Sequence, residues 1–103
     1  MTQQRVNPAE CRTMAEVRHG IDRLDEQIVA LIGERFRYMD AAARIKPSRE
    51  AVRDEARKAE VIANAVRHAG GVGVPQGAVR ELYEGLVEAS IAYEFERWDE
   101  GRG

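Results

Sequence analysis

Arg18, Arg35, Lys46, Arg57 and Lys58 are the side chains best suited to hold an anion, with Asp54, Ser90 and Glu94 as their polar companions. Arg35 is the sharpest case. Wound as a helix, Val17, Ile21, Leu24, Ile28 and Leu31 form one apolar arc, and Arg35 falls at its centre. A lone charge buried there is costly, so an internal Asp or Glu, solvent reached by snorkelling, or an anionic guest must meet it. Ser90 and Glu94 fall inside the apolar arc of a later helix in the same way. One reading has Glu94 neutralise Arg35. Arg18 lies on the flank of the first seam, Lys46 stands just before Pro47, and Arg57 and Lys58 lie in the first turns of a second helix. Each alone is an ordinary solvated charge. Together with Arg35 they outnumber what Glu94 balances, and a set of Arg and Lys suits carboxylates or phosphates. The expected guest is a compact dianionic metabolite.

Other chemistries fit less well. His19 and His68 are the only histidines and have no metal-ligand spacing. Cys11 is the one cysteine, so no disulfide closes within the chain, and no histidine beside it suggests a nucleophile pair. No glycine-rich phosphate loop and no Ser-His-Asp set is present. A net charge of −2 gives no electrostatic reason to expect nucleic acid or an acidic membrane surface. No apolar run approaches the roughly 18 residues that span a bilayer, and the amino-terminal residues lack the apolar core of a signal peptide. The expectation is a cytoplasmic protein with no cofactor and no metal, acting by positioning and electrostatics.

Three helices and no strand must place these residues. Thr13-Met14-Ala15-Glu16 is a capping box opening the first helix. Its seam runs Met14, Val17, Ile21, Leu24, Ile28, Leu31, Tyr38, Ala42, and Pro47 stops it. A helix over 14–45 is about 45–50 Å long. A compact chain of this size has a radius of gyration near about 13 Å, so it cannot cover both ends of that seam. A second copy of the chain is the default cover. The second helix starts at Ser48 or Asp54, both good N-caps, and ends at Gly70-Gly71. The third begins near Pro75 and carries Val79, Leu82, Tyr83, Leu86, Val87, Ile91, Phe95 and Trp98. Residues 1–12 are expected to form a loose arm, 13–100 a single all-α domain, and 101–103 a frayed end.

With these residues set out, Met14 to Trp98 resembles the all-helical (AroQ-type) chorismate mutase family, especially its isochorismate-pyruvate lyase branch. Val17-Arg18, Ile21-Asp22-Arg23-Leu24-Asp25, Ile28-Val29, Leu31-Ile32 and Glu34-Arg35 look like that family's first helix. Ala41-Ala42-Ala43-Arg44-Ile45-Lys46 looks like its exit to the active-site lysine, and Val52-Arg53-Asp54 with Arg57 like the start of its second helix. The ordered set Arg18, Arg35, Lys46, Arg57 carries the likeness. The resemblance implies an intertwined homodimer with the long first helices paired. Each site would take Arg18 from one subunit and the rest from the other. Arg18 and Arg35 would hold two carboxylates. Lys46 and Glu94 would face the breaking ether bond, while Asp54, Arg57 and Ser90 fix the substrate. The implied reaction is the pericyclic conversion of chorismate to prephenate, in aromatic amino-acid biosynthesis by the shikimate pathway.

Two positions depart from the family pattern. Glu94 stands where bacterial members carry Gln and fungal members Glu. An ionised Glu94 would repel the developing oxyanion and a protonated one could donate to it, so activity is expected to fall as pH rises through neutrality. Lys58 stands where the mutases carry a Glu that contacts the ring hydroxyl; the lyase branch lacks that Glu. Ser90 and Asp54 point back toward the mutases. The leading reading is chorismate mutase. The rivals are an isochorismate-pyruvate lyase, releasing salicylate and pyruvate, and a helical dimer module with no catalysis.

Overall fold

A computed structural model describes residues 5–102, and among them the chain is helical with no strand. The long helices are α1 (Met14–Ile45), α2 (Glu55–Gly71) and α3 (Gln76–Arg102), with 3₁₀ turns at Pro8–Glu10 and Arg49–Val52. The chain divides into two compact units, Met1–Arg35 and Phe36–Gly103, and the division falls within α1.

In the first unit, the capping box forms as the sequence suggests. Thr13 Oγ1 accepts from the Glu16 amide at 3.1 Å, and Glu16 Oε1 accepts from the amides of Arg12 at 2.8 Å and Thr13 at 3.1 Å. These acceptors satisfy amides that have no partner inside the helix. The Arg12 amide, first among them, holds the Glu16 carboxyl below its ordinary range. The segment read as a loose arm contains the Pro8–Glu10 turn, capped by Asn7 Oδ1 accepting from the Ala9 amide at 3.1 Å. Residues 1–4 of that arm lie outside the described residues. Along α1 the seam residues Met14, Ile21, Leu24, Ile28 and Leu31 are exposed, Leu31 at 65%.

In the second unit, α2 and α3 form an antiparallel hairpin. One of the two candidate caps is used: Ser48 precedes the Arg49–Val52 turn without a side-chain cap bond, while Asp54 opens α2 with Oδ1 accepting from the Arg57 amide at 3.0 Å. At the far end the Val72 amide donates back to His68 and Ala69 carbonyls, both at 3.2 Å. Gly73 then takes φ +76°, a left-handed conformation that favours glycine. Gln76 Nε2 reaches across to the Val66 carbonyl at 3.0 Å, and a Cβ on Gly70 would lie 2.7 Å from that nitrogen. A side chain at position 70 would therefore disturb the tie between the two helices.

Ala43, Val52, Ile62, Val87, Ile91 and Trp98 form the core, with Val61, Val66, Tyr83 and Phe95 packed against it. Fraying was expected at 101–103, yet α3 includes Gly101 and Arg102; Gly103 lies outside the described residues. Two contacts hold that end. The Arg102 guanidinium lies 3.5 Å from the centroid of the Trp98 ring, and it donates to the Ala43 carbonyl at 3.1 Å. That carbonyl is among the last of α1, which have no partner within their own helix. Among the described residues, no helix is long and apolar enough to cross a membrane.

Candidate active site

Lys46 follows the last residue of α1, where Pro47 forbids further helix. Its ammonium sits 2.7 Å from Glu94 Oε2 and donates to the Val52 carbonyl at 3.4 Å. The approach to Oε2 lies outside hydrogen-bond angles, so the contact is a close ion pair rather than an aligned hydrogen bond. Glu94 is only 3% exposed, while the Lys46 side chain keeps 29% of its surface. The carboxylate is thus fully enclosed by α3's core face, and the cation that compensates it remains reachable from solvent. Ser90, one helical turn earlier on α3, is equally buried, and its Oγ donates to the Leu86 carbonyl at 2.7 Å. A buried carboxylate holding an accessible ammonium is an electrophilic point for an oxygen that gains negative charge.

The remaining residues singled out from the sequence fall into three places. Asp54 uses its side chain as the α2 cap. Arg57 pairs with Glu60 at 2.6 Å, both side chains more than 60% exposed. An exposed pair of this kind contributes about 1 kcal/mol or less and is readily exchanged. Lys58 turns to α3, with Nζ 2.7 Å from Glu84 and 2.6 Å from Glu88. In the first unit, Arg18 is exposed and Arg35 half-buried.

The count of surplus cations made from sequence therefore omitted three acids. Glu60 was legible as an i,i+3 partner of Arg57. Glu84 and Glu88 were visible as acids at i and i+4 on α3, but nothing local pointed them at Lys58. Also overlooked were Arg49 and Arg53. Arg49 pairs with Asp99 through two contacts of 2.9 and 3.2 Å, and Arg53 with Glu88 through two of 2.8 and 3.2 Å.

Arg53, and then Lys58, hold the Glu88 carboxyl far down, at about 2. Lys58 is in turn pushed up, by Glu84 first and Glu88 second. A folded-state value depressed below the ordinary 4.5 stabilises the fold above that pH, and the gain is lost as pH falls toward about 2. Denaturant midpoints measured at neutral pH and near pH 3 are expected to differ more in the wild type than in Glu88→Gln. Equal acid sensitivity of the two would show that Glu88 carries no such linkage.

Comparison with known proteins fits this geometry. The sequence pattern of the family described as chorismate mutase type II matches residues 17–95. The isochorismate pyruvate lyase of Pseudomonas aeruginosa is 32% identical over 96 residues, covering 93% of this chain and 95% of that protein. The match takes in the exit of α1 with Lys46, the capped start of α2 and the buried acid of α3, and the chain belongs to the chorismate mutase type II family.

Proposed function

We propose that the protein is a chorismate mutase that works as a homodimer. The observation that carries this reading is the accessible Lys46 ammonium held 2.7 Å from the buried Glu94. In the rearrangement one C–O bond breaks as one C–C bond forms, within a single cyclic electron shift. No acid, base or covalent intermediate is needed. Catalysis then consists of holding the enolpyruvyl arm over the ring and meeting the charge that gathers on the ether oxygen. Lys46 supplies the opposing positive charge and Glu94 sets its position. Arg18 and Arg35 take the two carboxylates. Ser90, the α2 start at Asp54, and Arg57 frame the rest; Arg57 gives up little when it leaves Glu60 for a substrate carboxylate.

The dimer is supported by the uncovered seam. Met14, Ile21, Leu24, Ile28, Leu31 and Tyr38 lie along one helix, are 41–68% exposed, and follow the spacing that another helix covers. A second copy laying its own α1 along this stripe buries both seams and brings its Arg18 to the site.

A second reading, isochorismate-pyruvate lyase, is favoured by two observations. The Pseudomonas relative carries that name. Lys58, where the mutases bear a ring-contacting Glu, is engaged by Glu84 and Glu88. The same cations serve an elimination that yields salicylate and pyruvate. Purified protein offered chorismate alone is expected to form prephenate. Salicylate and pyruvate from isochorismate, without prephenate from chorismate, would select the lyase. Inertness toward both would leave a helical dimer module.

A further inference from the structure

The segment between α1 and α2 is tied to α3 at both ends by paired arginine contacts. At its start, Arg49 Nε and Nη2 meet Asp99 Oδ1 and Oδ2 at 2.9 and 3.2 Å. The same guanidinium stacks 4.5 Å from the centroid of the Phe95 ring. At its end, Arg53 Nη2 and Nη1 meet Glu88 Oε1 and Oε2 at 2.8 and 3.2 Å, and Lys58 Nζ meets Glu88 at 2.6 Å. Between the two clamps lies Val52, which is 3% exposed and whose carbonyl accepts from Lys46 Nζ. Between the two acids along α3 lies Glu94, the other partner of that ammonium. Lys46 is therefore held by one atom of the tied segment and one atom of the helix to which it is tied.

We propose that the Arg49–Asp99 and Arg53–Glu88 clamps are positioning devices that strap residues 49–53 onto α3 and thereby aim the Lys46 ammonium. Two-point arginine–carboxylate contacts restrict orientation as well as distance, which single ammonium contacts do not. All four clamp side chains are about half-exposed. Exposed pairs contribute little to global stability. Loosening a clamp thus moves Lys46 without unfolding the hairpin. The acids of both clamps are held below their ordinary ranges by their arginines, so the strap stays closed at neutral pH. Displacing a group aimed at the reacting bond lowers turnover more than binding, because alignment with the ether oxygen counts in the transition state.

The proposal rests, for its effect on turnover, on Lys46 serving the reaction; the position of Lys46 is tested separately. Lys46 and Lys58 are the only lysines in the chain, so peptide mass spectrometry after brief treatment with an amine-acylating reagent reports each one. In Asp99→Asn, the Lys46 acylation rate relative to wild type is expected to rise about five-fold, with Lys58 unchanged. In Glu88→Gln both lysines are expected to react faster, since Lys58 loses a direct partner. Helical circular dichroism should stay near wild type in both variants, and the denaturant midpoint near wild type in Asp99→Asn; in Glu88→Gln the midpoint at neutral pH is expected to fall by the Glu88 linkage, with the helical signal kept. With chorismate, kcat is expected to fall about ten-fold and KM to change less than three-fold. Unchanged Lys46 acylation in both variants would overturn the strap. Faster Lys46 acylation with unchanged kcat would keep the strap as a structural device and overturn its role in aiming the reaction. Faster acylation in a protein that turns over no chorismate even as wild type would uphold the strap and sink the mutase reading instead.

Discussion

Lys46→Ala is expected to lower chorismate turnover by on the order of 10²–10³-fold, the loss usual when a donor aimed at developing negative charge is removed. The expectation follows from the asymmetry of the Lys46–Glu94 pair. Glu94 is sealed in the α3 core face, and Lys46 alone of the two reaches solvent. Taking the ammonium away removes the donor and strands a carboxylate on the face of α3 that also buries Val87, Ser90, Ile91 and Trp98. Breaking a fully buried ion pair costs about 3–5 kcal/mol; the part-exposed lysine puts this case below that range, because water can reach the site. Stability and activity therefore change together in the single variant, and a second one separates them. Lys46→Ala combined with Glu94→Gln removes the stranded charge. Its denaturant midpoint should recover toward wild type while its turnover stays low. Recovery of turnover along with stability would mean that Lys46 serves the fold and not the reaction.

Mixing two inactive variants is expected to restore activity. Arg18→Ala and Lys46→Ala should each be nearly inactive as pure proteins. If each site takes Arg18 from one subunit and Lys46 from the other, half of a randomly exchanged equimolar mixture is heterodimer, and each heterodimer keeps one intact site. The mixture should then reach about one quarter of wild-type turnover per site. If Arg18 and Lys46 serve a site within one chain, every site in the mixture lacks one of them, and activity stays at the level of the separate variants. Subunit exchange must occur, so the mixture is unfolded together in denaturant and refolded before the assay. The apolar seam of α1 is the physical reason to expect the first outcome. Exposed Ile21, Leu24, Ile28 and Leu31 on one helix face cost free energy in water that a paired helix removes.

Much of the fold was legible because its punctuation is local. The capping box Thr13–Glu16, the break at Pro47 and the stop at Gly70-Gly71 each act within a turn of chain, so both bounds of α1 and the end of α2 followed from neighbouring residues; the end of α3 did not, because contacts of Arg102 with Trp98 and Ala43 carry that helix past the expected fraying. The two candidate starts for α2 could not be separated in the same way. Both Ser48 and Asp54 are residue types that cap well, and in the structure Ser48 precedes a 3₁₀ turn without a side-chain cap bond while Asp54 caps the helix. The buried polar pair on α3 was legible too, since helical periodicity places Ser90 and Glu94 on the core face whatever they pack against.

The sequence alone determined three helices, both ends of α1, the end of α2 and the start of α3, an apolar stripe on α1 in need of cover, and a carboxylate that had to lie inside. Only the tertiary structure decided which charge meets which. Glu94 takes Lys46, Glu84 and Glu88 take Lys58, and Arg49 and Arg53 bind the connecting segment to α3. Periodicity sets the face on which a side chain lies but leaves free the axial register and rotation of one helix against another. An ion pair forms or fails over a few ångströms, so that register chooses the partners.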